Sequence, residues 1–183
     1  YDKFRKDLTY LKTKLKKADE NIDQLDIMIS CSSAGGTGAG MLIDAAWLLR
    51  KAAAEVGLKE FILRAFIVLP TAWEHAGEVP DKRIRSYCFW RELDRFMLSS
   101  ITRNRNTKII FNPNSTPPLE VTCDTPVFDH TCLVDPKRSI KPLNQMKPEK
   151  GIFPAVSQMM SIILDDKAGA RYAAHYKNIH VSG

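Results

Sequence analysis

The glycine-rich stretch Ala34-Gly35-Gly36-Thr37-Gly38-Ala39-Gly40 separates two segments of opposite character. Before it runs Ile27-Met28-Ile29-Ser30-Cys31, apolar enough to read as a buried strand. After it, Met41 to Val56 reads as a helix. Leu42, Ile43, Ala46, Trp47, Leu49, Ala53 and Val56 are available to its buried side, and Gly57 is its C-cap. Strand, glycine turn and helix in that order make the elementary step of an α/β fold. The turn also has a chemistry. Glycines let backbone N–H groups approach an anion closely, and the partial positive charge of a helix N-terminus favours a phosphate there. The Thr37 hydroxyl adds a side-chain donor, and Ala34 and Ala39 add backbone N–H groups. Residues 34–40 are therefore the candidate site for a phosphorylated ligand, a nucleotide. A bare turn without ligand is the competing reading, but so many glycines weaken a turn more than packing requires.

Spacing excludes two familiar phosphate loops. A P-loop needs G-x-x-x-x-G-K-(S/T), and Gly40 is followed by Met41 and Leu42 with no lysine. A dinucleotide fingerprint needs G-x-G-x-x-G and an acid at the end of the next strand. Gly36-Thr37-Gly38 begins correctly, but Met41 stands where the third glycine belongs. The next apolar run, Phe61 to Leu69, ends in Pro70-Thr71.

Elsewhere the chain alternates helix and strand. Asp2 to Leu25 reads as a long amphipathic helix with the stripe Phe4, Leu8, Leu11 and Leu15. Asp26 to Ser32 reads as a buried strand, and Phe61 to Leu69 as a second, nearly all apolar, as a parallel strand covered on both faces would be. Pro70 to Arg83 reads as a polar loop at the end of a strand, where ligands of open parallel sheets sit. Arg85 to Leu98 reads as a helix packed through Trp90, Leu93, Phe96 and Met97. Residues 107–122 read as a peripheral hairpin around a turn rich in Asn and Pro. Asp129 to Val134 is a third sheet strand, Asp135 to Gly151 a polar connection, and Ile152 to Asn178 a helix that Gly169 interrupts. The fold class is α/β: a three-layer, Rossmann-like, mostly parallel sheet with helices on both faces, all in one domain over residues 1–183.

Net charge is +6. Much of the excess lies in the first helix, at Lys3, Arg5, Lys6, Lys12, Lys14, Lys16 and Lys17. Without an aromatic platform or a DNA-binding motif, these read as a solvated face rather than a nucleic-acid surface. No apolar run reaches the ~20 residues needed to span a bilayer, and no secretory signal opens the chain. Cys31, Cys88, Cys123 and Cys132 have no metal-ligand spacing with one another or with the four histidines. They read as reduced thiols of a cytoplasmic protein.

The order G-G-T-G-(S/A)-G resembles the phosphate-binding signature of the tubulin/FtsZ superfamily, (S/A/G)-G-G-T-G-(S/A)-G, which Ala34 to Gly40 matches throughout. The prokaryotic tubulin-like branch is the most similar. Its helix pattern N-A-Y-A-A-L-R-E-L corresponds to Arg85-Ser86-Tyr87-Cys88-Phe89-Trp90-Arg91-Glu92-Leu93. Its strand pattern P-F-D-x-x-Y-L-V-D corresponds to the stretch from Pro126 to Asp135. Both correspondences are degenerate, and Arg85 departs from the Asn of the pattern. The resemblance implies a GTP-binding domain, with Mg2+ accompanying the nucleotide, from a parent that assembles into filaments with GTP between subunits. It also implies that this chain is the second half of that domain. No other glycine loop precedes Asp26, and no acidic N-x-D-x-x-D loop lies between Ile152 and Gly183, so the chain alone is expected not to turn over GTP.

Other candidate residues carry two readings each. Ser32 and Ser33 either donate to phosphate or simply end the strand. The resemblance implies that an acid after the second strand accepts from ribose hydroxyls. Glu74 suits this better than Glu78, and an exposed loop acid is the alternative. Arg83 meets a terminal phosphate or is a surface charge near a helix start. Asp135 faces the site from a strand end or caps the following turn. Asn144 and Asn178 are candidates for a guanine edge. Trp47 and Trp90 sit at packing positions. The leading reading is a nucleotide-binding piece of a filament-forming GTPase, and the alternative is a non-catalytic scaffold module for protein partners.

Overall fold

Nine residues of β1 (Gln24–Ser32) pair in parallel register with nine of β2 (Glu60–Val68), from Gln24 opposite Glu60 to Ser32 opposite Val68. This computed structural model describes residues 1–18, 24–76, 80–98, 107–135 and 150–165. Its elements also include helices α1 (Asp2–Ala18), α2 (Gly36–Val56), α3 (Pro80–Leu98) and α4 (Ile152–Leu164), and strands β3 (Lys108–Asn112), β4 (Leu119–Thr122) and β5 (His130–Val134). The main sheet is parallel with strand order β1-β2-β5 and is flanked by helices. Chain contacts divide into two compact units, residues 1–70 with 79–133 and residues 71–78 with 134–183.

In the first unit, β2 is the central strand, and Leu63, Ala65, Phe66 and Ile67 are wholly buried. A parallel strand covered on both faces needs such an apolar run. Asp129 sets the register of β5. Its backbone N–H donates to Leu63 O, and its Oδ2 accepts from Leu63 N–H at 2.7 Å and from Arg50 Nη2 at 2.8 Å. The core joins one face of α2 to α3, β2 and the hairpin β3-β4. Trp47, 1% exposed, meets Phe96 edge to face. The sequence reading of Trp47 and of the α2 face as packing residues agrees with this core.

Several boundaries differ from the sequence reading. The first helix does not continue to Leu25. Gln24 and Leu25 instead pair with Glu60 and Phe61, where the ladder satisfies their backbone groups. The stripe of α1 also shifts. Leu8 is buried but Leu11 is 41% exposed. Lys12 turns inward instead, and its ammonium donates to Val56 O at 2.8 Å and Gly57 O at 2.7 Å. These carbonyls end α2, where the helix dipole is negative and a cation is favoured. Gly57, at φ 71°, takes the left-handed C-cap that ends α2. Helix α3 begins at Pro80, a residue suited to a first helical position, so Arg83 lies inside a helix rather than in a loop.

Pro70–Ala76 forms a 3-10 helix that belongs to the second unit from Thr71 on, and Thr71 Oγ1 donates to Asp135 Oδ1 at 3.0 Å. Helix α4 buries Ile152 and Val156 and exposes Phe153, Ile162 and Leu164. The reading of one helix from Ile152 to Asn178 is corrected within the described residues, where α4 ends at Leu164 and Asp165 is extended; residues 136–149 of the connection, residues 166–178 and Glu78 lie outside them.

Candidate functional site

The glycine turn joins β1 to α2 through Ser33, Ala34 and Gly35. Gly35 is the N-cap, in extended conformation at φ −78° and ψ 147°, and no side chain caps the helix. Gly36, Thr37 and Gly38 are then the first three helical residues. By helix geometry their N–H groups have no acceptor within the helix. Gly36, Thr37, Gly38 and Gly40 are exposed, whereas Ala34 and Ala39 are buried. The donors of the first turn thus face solvent, supported from behind by two small apolar side chains.

Other groups expected to donate are already engaged. The Ala34 N–H donates to Ser32 Oγ at 3.3 Å, and the Gly35 N–H to Ser32 O at 3.2 Å. The Ala39 N–H is the first for which the helix supplies an acceptor, the carbonyl of the N-cap. Ser33 is wholly buried. Its N–H donates to Val68 O at 3.0 Å, its hydroxyl also points to that carbonyl at 3.3 Å, and Ser86 Oγ donates to Ser33 Oγ at 2.9 Å. Ser33 therefore ties the C-terminal ends of β1 and β2 to the first turns of α3.

None of the four glycines is required by the local backbone. Among the described residues the single positive-φ glycine is Gly57. A Cβ on Gly35 would lie 3.5 Å from Ser32 O, and one on Gly38 would lie 3.5 Å from Cys31 Cβ, both ordinary contacts. A Cβ on Gly40 would meet nothing within 4 Å. On Gly36 its nearest neighbour would be Arg85 Nη1, at 3.9 Å. Gly36 and Gly40 are one turn apart on the same face of α2, and of the two only Gly36 has the Arg85 guanidinium within 4 Å of its Cβ position.

The cation brought to the turn is therefore Arg85. Arg83 lies two positions earlier on α3, about 200° around the helix from Arg85, and has interactions of its own. Sequence reading registered Arg85 only as a departure from a pattern and gave Ser86 no role. The available signal was a hydroxyl and a cation side by side in a helix that follows a sheet strand. Glu74 lies in the 3-10 helix, with its side chain outside the described residues. Asp135 lies in the second unit, bonded to Thr71. Surface cavities of about 760 Å3, lined by Arg5, Lys12 and Glu55, and about 430 Å3, lined by Trp47, Arg50 and Asp124, include no residue of the turn. The two volumes thus mark other places, while the turn is an open N-terminus. Burial pushes the Cys31 thiol, behind Gly38, up to about 11, so it is protonated and inert at neutral pH.

A family model described as tubulin-like matches residues 2–163. The chain belongs to the tubulin-like family. No curated protein and no solved structure matches it. The match takes in β1, the glycine turn, α2, α3 and β5, so the signature and the parallel sheet of this tubulin-like chain stand in one assigned region. Among the described residues, no helix is long and apolar enough to cross a membrane, and no group of three or more His, Cys, Asp or Glu residues is placed to hold a metal ion.

Proposed function

We propose that this tubulin-like chain binds a phosphorylated nucleotide, GTP with its Mg2+, at the N-terminus of α2, and that copies of its parent assemble into filaments around that nucleotide in the cytoplasm. The observation that carries this reading is the set of glycines the fold does not need. Gly36, Gly38 and Gly40 lie in helical backbone with room for a Cβ. Each lowers helix stability by up to about 1 kcal/mol relative to Ala. A close backbone approach by a ligand accounts for them, and the family supplies the ligand class. The N–H groups of Gly36, Thr37 and Gly38 and the Thr37 hydroxyl would hold the phosphates. Ser33 would set the position of the turn from within. Mg2+ would arrive on the nucleotide's own phosphate oxygens and offset their charge.

The test is calorimetric titration of the purified chain with GTP and magnesium, alongside Gly36→Val. Binding by the parent sequence, lost in a variant that still melts cooperatively, supports the reading. A parent sequence that binds no nucleotide refutes it. Sedimentation with and without GTP then tests assembly, and ligand-independent behaviour would separate binding from polymer formation.

A further inference from the structure

We infer that Arg85 is a ligand-binding residue of this site, donating its guanidinium to a phosphate oxygen of the nucleotide whose phosphate rests on the N–H groups of Gly36, Thr37 and Gly38. This rests on the nucleotide reading above and deepens it, because it makes the site select its ligand by phosphate charge. The geometry begins at Ser86. Its buried hydroxyl, bonded to Ser33 Oγ at 2.9 Å, fixes the start of α3 against the end of β1. The neighbouring residue, Arg85, is thereby held beside α2, with Nη1 3.9 Å from where a Cβ of Gly36 would stand. Among the described residues, no atom other than Arg85 Nη1 is placed within 4 Å of that Cβ position, outside the helix's own backbone and the neighbouring residues.

The present partner of Arg85 is weak. Its Nη2 lies 3.8 Å from Asp81 Oδ2, and the two side chains are 55% and 65% exposed. Exposed pairs at that distance contribute little and are screened by salt. A guanidinium has five donors in a planar fork, matched to the paired oxygens of a phosphate. The helix N-terminus offers directed N–H groups but only a partial charge, and Thr37 is neutral. Arg85 brings the full positive charge to this face of the turn. A neutral amide at this position would bring none. A ligand with more phosphate charge should therefore gain more from this chain than from one with the neutral amide.

The experiment titrates the full chain, Arg85→Gln, Arg85→Lys and Asp81→Asn with GTP, GDP and GMP at low and at physiological salt. Melting of each variant without ligand reports its folding, which the exposure of the Arg85 side chain should leave intact. Loss of a charged hydrogen bond in Arg85→Gln should weaken GTP binding roughly tenfold to a hundredfold. The loss should be smaller for GMP, and the salt dependence should become shallower. Arg85→Lys should recover part of the affinity, and Asp81→Asn should leave GTP binding as tight or make it tighter. Parent affinity and parent salt dependence in Arg85→Gln would overturn the inference while leaving the nucleotide reading in place. An equal loss for all three nucleotides with unchanged salt dependence would make Arg85 a structural residue and also overturn it. A parent chain that binds none of the three would remove the nucleotide reading, and this inference with it.

Discussion

Replacing Gly36 and Gly40 together by alanine should stabilise the ligand-free protein and weaken its hold on nucleotide. Both residues lie in α2 with ordinary helical backbone. The new methyl at 36 would have its nearest neighbour at 3.9 Å, and the one at 40 would enter open space, so neither incurs strain. Glycine to alanine in a helix interior yields about 0.8–1.0 kcal/mol, through a smaller loss of backbone entropy on folding. Position 36 is the first helical residue and frays, so about half of that is reasonable there. The pair should then contribute about 1–1.5 kcal/mol, a melting-temperature rise of about 2–6 °C for a chain of this size. The same methyl groups would cover exposed backbone at the start of α2, the one at 36 beside Arg85, so GTP affinity should fall about tenfold or more, some 1.4 kcal/mol. The assay is urea unfolding with and without GTP and magnesium, together with titration calorimetry. Higher stability with undiminished affinity would show that the glycines serve no ligand. Lower stability would show that they serve the fold, and the argument for the site would fail.

Lys12→Met should lower stability by about 1 kcal/mol, because the carbonyls of Val56 and Gly57 lose the cation that caps them; urea unfolding at two salt concentrations measures it. Ser33→Ala should cost about 1–3 kcal/mol, since the buried Ser86 hydroxyl loses its acceptor. A double-mutant cycle with Ser86→Ala should recover part of that cost, and strict additivity would refute the coupling. Burial raises the thiols of Cys31 and Cys123 to about 11 from an ordinary 9.0, with Asp124 adding to the shift of Cys123. Their contribution to stability is complete below about pH 9 and is lost as pH rises towards 11, because the unfolded chain releases these protons first. Chemical unfolding across that range should show the decline, and Cys31→Ala should flatten it.

The sequence by itself determined the local steps. Alternation of apolar strand, glycine turn and amphipathic helix depends on neighbours along the chain, so β1, α2, β2, the hairpin and β5 were legible. The buried face of α2 was too, because a helical repeat alone selects it. The glycine signature was legible for the same reason, since its residues are consecutive. Where elements end was less legible. Leu25 joins a strand because Phe61 lies opposite it, and α2 begins at Gly36 although glycine is a poor helix former. Only the tertiary structure decided which side chains meet across elements. Ser33 reads as a phosphate donor until packing places Val68 O and Ser86 Oγ around it. Lys12 reads as a solvated charge until the end of α2 arrives at its ammonium. Arg85 reads as a mismatch until α3 sets it beside Gly36. Contacts of this kind depend on the docking of helices on a sheet, a sum over the whole core, and no local pattern encodes them.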